Sequence, residues 1–139
     1  MYYLETSACF DSAHFLHGYN GKCANIHGHH WIVEVKISGG KLQGSGEKCS
    51  MLLDFGDFKR AVKELAEGFD HTLIYEKNTL KPATLAALKE EGFSLIETDF
   101  RPTAENFASH IYADLCRKGL PVSCVTVYES PENCAVYGE

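Results

Sequence analysis

Apolar and polar positions alternate over residues 2 to 14, putting Leu4, Thr6, Ala8, Phe10, Ser12 and His14 on one face. That period of two predicts a long strand ending at His14. Residues 16 to 26 carry Gly18, Asn20 and Gly21 and read as a loop. The alternation resumes over His29 to Ser38, with Trp31, Val33, Val35 and Ile37 sharing a face, and predicts a second strand. Two strands joined by such a loop suggest an antiparallel pair, with the end of the first beside the start of the second. Gly39 to Glu47 then reads as a hairpin loop and Met51 to Phe55 as a short strand.

The period next changes to that of a helix. Phe58, Ala61, Val62, Leu65, Ala66 and Phe69 form an apolar stripe, with Asp57 the expected N-cap and Gly68 near the end. Pro82 to Glu91 predicts a shorter helix stopped by Gly92, and Phe93 to Phe100 an extended piece. Thr103 is placed to cap a third helix, striped by Ala104, Phe107, Ala108, Ile111 and Leu115 and stopped by Gly119. Val122 to Glu129 reads as a strand with Val125, Val127 and Glu129 on one face. After a turn at Pro131 to Asn133, Cys134 to Tyr137 returns as the last strand. The expectation is an α+β chain, residues 1–139 forming one domain, without repeat or linker.

Composition narrows the function classes. Of 139 residues, 45% are hydrophobic and 23% charged, as in ordinary globular proteins. No apolar run approaches the roughly 20 residues of a membrane span, and no secretory leader is visible. The net charge of -6 argues against a nucleic-acid surface. The six cysteines are irregularly spaced and include no CxxC pair. Free thiols in a cytoplasmic protein are therefore expected, not a disulfide framework or a structural zinc finger.

The densest chemistry lies in Cys23-Ala24-Asn25-Ile26-His27-Gly28-His29-His30. His27 and His29, two apart in extended chain, share a face. An antiparallel return brings His14 towards them, completing a three-histidine set that leaves a metal an open position. His30 points to the other face, and His17 is a rival in the loop. Cys23 is a candidate base or nucleophile, since a nearby cation lowers a thiol's pKa, or alternatively a fourth metal ligand. Asp70-His71 pairs an acid with an imidazole, although sequence neighbours do not usually face each other. Glu105 falls in the first turn of a helix, where the macrodipole favours a negative charge. Glu129 points where apolar residues point, and a carboxylate there needs a donor partner.

Taken together, Phe10-x-x-Ala13-His14, Cys23-x3-His27-Gly28-His29, Asp54-Phe55, Asp70-His71, Pro102-Thr103-Ala104-Glu105-Asn106 and Tyr128-Glu129 make nearly the whole chain resemble the 6-pyruvoyl-tetrahydropterin synthase family. Within it, the chain looks most like the bacterial 6-carboxytetrahydropterin synthases of queuosine and other 7-deazaguanine synthesis. The resemblance implies a T-fold, an antiparallel sheet with helices on one face that assembles with other copies into a barrel. It implies a homohexamer of two trimers with active sites between subunits. It also implies Zn2+ on His14, His27 and His29, Cys23 as the proton-abstracting base, and Asp70 and His71 as a proton relay. Glu129 is the implied pterin anchor and Glu105 a second candidate beside the ring. The implied substrate is 7,8-dihydroneopterin triphosphate, converted to 6-carboxytetrahydropterin with loss of acetaldehyde and triphosphate. The alternatives are 6-pyruvoyltetrahydropterin formation, which keeps the carbon chain, and a non-catalytic pterin- or metal-binding module.

Overall fold

The computed structural model describes residues 1–139. Its strands are β1 (Tyr2–His14), β2 (His27–Gly39), β3 (Thr72–Glu76), β4 (Leu95–Thr98), β5 (Val122–Ser130) and β6 (Asn133–Gly138). Its helices are α1 (Phe55–Phe69), α2 (Pro82–Glu90) and α3 (Ala104–Arg117). The strands form one sheet in the order β4-β3-β1-β2-β5-β6.

The expected antiparallel arrangement is found in β1, β2, β5 and β6. β3 and β4 extend it as a parallel edge, β3 against β1 and β4 against β3, so the sheet is mixed. Thr72-Leu73-Ile74-Tyr75-Glu76 shows no alternation because consecutive residues Ile74 and Tyr75 are both buried, a habit of parallel strands. Parallel strands need long crossovers, and α1 and α2 lie in the two connections that supply them.

The alternation has the predicted phase. Phe10, Ser12 and His14 of β1 and Trp31, Val33, Val35 and Ile37 of β2 are buried, and the residues between them are half-buried or exposed. That face packs against Phe58, Val62, Leu65 and Ala66 of α1 and against Ala104, Phe107, Ala108, Ile111 and Leu115 of α3. Each fully buried large apolar side chain contributes roughly 1.5–3 kcal/mol relative to exposure. α2 buries none of its residues. No helix is long and apolar enough to cross a membrane.

Two local expectations fail for one reason. Residues 40 to 54 form neither a hairpin nor a strand; they are turns and irregular chain leading directly into α1. Asp54, not Asp57, caps that helix, its Oδ1 accepting from the Asp57 N–H at 3.1 Å. The helix begins one turn before its apolar stripe, so the stripe alone misplaces its start. Asp57 instead lies in the first turn and accepts from Lys48 and Arg60. At α3 the expected cap holds: the Asn106 N–H donates to Thr103 Oγ1 at 3.3 Å.

Candidate metal centre

The register from Tyr2↔Gly39 to His14↔His27 fixes the centre. It sets the last residue of β1 opposite the first of β2, with His29 one step along the same buried face. One ligand atom from each of His14, His27 and His29 lies within 4.8 Å of the others. Below them Trp31 packs edge-on to His14 and His29, at 5.0 and 5.2 Å between ring centroids. Trp31 stacks in turn on Phe10, so the triad rests on the hydrophobic core.

Two main-chain carbonyls settle the imidazole tautomers. His14 Nδ1–H donates to the Pro102 carbonyl at 2.7 Å, and His27 Nδ1–H to the Asn25 carbonyl at 2.6 Å. Both rings therefore turn Nε2 lone pairs inward, and these nitrogens are 3.1 Å apart. Burial pushes the His14 pKa down to about 4, against the pull of the Pro102 bond and with help from His27 and His29. His14 is thus neutral near pH 7, and two facing lone pairs at that distance repel unless a cation lies between them. His29 Nε2 is buried with no hydrogen-bond partner. Burial lowers the His29 pKa too, while Glu129 raises it and His27 lowers it. Nitrogen donors with their outer N–H groups tied to carbonyls are what a divalent ion requires of imidazoles. The residues present fit a metal ion.

The other candidates are distributed around this triad. Glu129 is half-buried with Oε1 3.4 Å from His29 Nε2, as expected from its face of β5. Cys23 is half-buried in a one-turn 3₁₀ segment, Lys22–Ala24, and its carbonyl accepts from the Leu16 N–H at 2.8 Å. Its sulfur is outside the three-nitrogen group, which does not support the fourth-ligand alternative. Glu105 is exposed in the first turn of α3, the helix that begins just after the Pro102 carbonyl. His30 is on the opposite face, as expected, with Nδ1 2.8 Å from Asp11 Oδ1.

Asp70 and His71 do face each other, with His71 Nδ1–H donating to Asp70 Oδ2 at 2.8 Å. The reason is a left-handed backbone at His71, φ 56°, which folds the ring back on its neighbour. That conformation is held by the His71 N–H donating to the Asp11 carbonyl at 2.7 Å and the Asp11 N–H donating to Asp70 Oδ1 at 2.8 Å. The Asp11 bond, then the His71 bond, lowers the Asp70 pKa. His71 borders an open cavity of about 630 Å³, lined also by His29 of the triad, Asp11, Gly28, His30, Leu88 and Phe93 and not by Cys23.

The sequence pattern misses the Pro102 and Asn25 carbonyls, because any residue type carries a carbonyl. It also misses Asp11. The signal for Asp11 appears only with the register, which pairs it with His30.

A β-sheet backed by helices and carrying three inward imidazoles at the β1–β2 end defines a class of metal-site T-fold subunits. The 6-pyruvoyl tetrahydropterin synthase family model matches residues 3–139, and the chain belongs to that family of enzymes. It is 34% identical to the 6-carboxy-5,6,7,8-tetrahydropterin synthase of Haemophilus influenzae, with all of both chains aligned. It is 32% identical to the enzyme of that name from Rickettsia felis, over 91% of this chain and 92% of the relative. Among solved structures, an uncharacterised Wolinella succinogenes protein superposes with a TM-score of 0.80 at 20% identity, covering 99% and 98% of the two chains. The Caenorhabditis elegans 6-pyruvoyl tetrahydropterin synthase gives 0.67 at 22% identity, covering 99% and 95%. These superpositions establish the T-fold.

Proposed function

We propose that this chain is a zinc-dependent 6-carboxytetrahydropterin synthase, one domain over residues 1–139. It converts 7,8-dihydroneopterin triphosphate and one water to 6-carboxy-5,6,7,8-tetrahydropterin, releasing acetaldehyde and triphosphate; the water supplies the second carboxylate oxygen as the carbon–carbon bond breaks. The observation that carries the reading is the pair of carbonyl-fixed imidazoles, His14 and His27, with His29 completing an inward donor set. The names of the full-length relatives favour the 6-carboxy product. The pathway is queuosine synthesis in the cytoplasm.

His14, His27 and His29 hold the ion, whose chemistry when bound is Lewis acidity towards side-chain hydroxyls of the substrate. Glu129 accepts two parallel N–H donors from the pterin, its amino group and a ring nitrogen, and so orients the ring. Glu105, at the start of α3, is a second acceptor near that ring. Cys23 takes a proton from the substrate side chain. His71, with its tautomer set by Asp70, moves protons in the later hydrogen shift and carbon–carbon cleavage. His71 borders a cavity that Cys23 does not line. We therefore assign their cooperation to a site between copies of the chain, within a hexamer of two trimers.

The test is product analysis on metal-loaded protein. Acetaldehyde and 6-carboxytetrahydropterin are expected in equal amounts. A product that retains the carbon chain would mean 6-pyruvoyltetrahydropterin synthesis, and no turnover would mean a binding module.

A further inference from the structure

The substrate in that reading carries a triphosphate, and the protein must receive it despite a net charge of -6. Six of its thirteen lysines and arginines are already engaged. Lys36, Lys48, Arg60, Lys63, Arg117 and Lys118 are each paired with a carboxylate. Of the seven that are not, Arg101 and Lys22 sit on segments that build the metal centre. Arg101 precedes Pro102, whose carbonyl holds His14. Lys22 precedes Cys23, and its carbonyl accepts from both the main-chain and side-chain N–H groups of Asn25, the residue that holds His27.

These two segments meet at Tyr19. The Arg101 guanidinium lies 5.9 Å from the centre of the Tyr19 ring, and its Nη2 donates to the His17 carbonyl at 3.1 Å. Gly21 lies against the same ring, where an added Cβ would come within 2.7 Å of it. Arg101 is thereby tied to the loop that presents Lys22 and Cys23. Its Nε is buried without a hydrogen-bond partner. A desolvated guanidinium nitrogen without an acceptor is costly, and an anion would remove that cost.

We propose that Arg101 and Lys22 form a polyphosphate subsite at the rim beside Cys23. The inference rests on the pterin triphosphate reading, and the order of groups supports it. Glu129 stands next to His29, while the Cys23 loop adjoins His27 through Asn25. A substrate with its ring at Glu129 and its hydroxyls at the triad therefore directs its triphosphate towards this loop.

The test uses inorganic tripolyphosphate as the probe, titrated calorimetrically into metal-loaded protein, with metal content measured for each variant. Arg101→Gln and Lys22→Met are each expected to weaken binding about tenfold or more. Arg101→Lys, which keeps the charge but lacks Nε, should bind between wild type and Arg101→Gln, and binding of unphosphorylated 7,8-dihydroneopterin should not change. Equal tripolyphosphate affinity in wild type and both neutral variants would overturn the proposal. So would parallel loss for both ligands in Arg101→Lys and Lys22→Met with metal retained, since that marks a loop fault and not a phosphate contact. The binding titration is independent of turnover. Failure to release acetaldehyde would count against the reaction and leave the subsite standing.

Discussion

At the scale of single residues, the centre is a device for keeping imidazoles neutral and aimed. His14 shows this most clearly, being 1% exposed with its pKa lowered to about 4 by burial. The unfolded chain binds a proton at His14 below about pH 6.5, and the folded chain does not until about pH 4. Stability of metal-stripped protein should therefore fall as pH drops through that window, by roughly 3 kcal/mol at most from this residue. Urea unfolding of the stripped protein between pH 7.5 and 4.5 checks it, and His14→Gln should flatten the dependence. Cys23 belongs to a different class, with a sulfur outside the nitrogen triad. Cys23→Ala should keep the metal, measured by atomic emission, and lose turnover by a hundredfold or more, about the contribution of a positioned acid or base. Retained turnover would remove Cys23 from the mechanism.

At the scale of elements, register carries the function. β1 and β2 pair in unbroken register from Tyr2↔Gly39 to His14↔His27, which sends two histidines of β2 to the side of His14. Inserting one residue between His29 and Trp31 should turn His27 and His29 to the other face and abolish metal binding. A residue inserted at Gly18, in the loop, should leave metal content near one per chain. Capping gives a second check at this scale. Asp54 accepts the orphan N–H at the start of α1, and Asp57 makes surface ion pairs. Asp54→Ala should cost about 1 kcal/mol in chemical denaturation, and Asp57→Ala less.

At the scale of the molecule, one chain brings His29 of the imidazole triad and His71 of the dyad to the same open cavity, which Cys23 does not line. Assembly is the arrangement that would bring Cys23 to His71. Sedimentation should report a hexamer, and mixing inactive Cys23→Ala with inactive His71→Ala subunits should restore part of the activity if sites are shared between copies. Failure of mixed hexamers to regain activity would confine the chemistry to one chain. Strands β1 and β2 were readable because one face of each is more deeply buried than the other, which writes a period of two into the sequence. β3 was not, because a parallel strand covered on both faces leaves no such period.

What the sequence determined by itself was the set of donors and the side each one faces. Three histidines at strand positions of matching phase, a glutamate among valines and a threonine ahead of an apolar helix all follow from local geometry. What only the tertiary structure decided was how those donors are held. The Pro102 carbonyl orients His14 across 88 positions of chain, and the Asp11 main chain keeps His71 in a left-handed turn. Main-chain groups are the same at every residue, so no side-chain pattern can announce which of them will do this. Only the folded register brings a particular carbonyl to a particular ring.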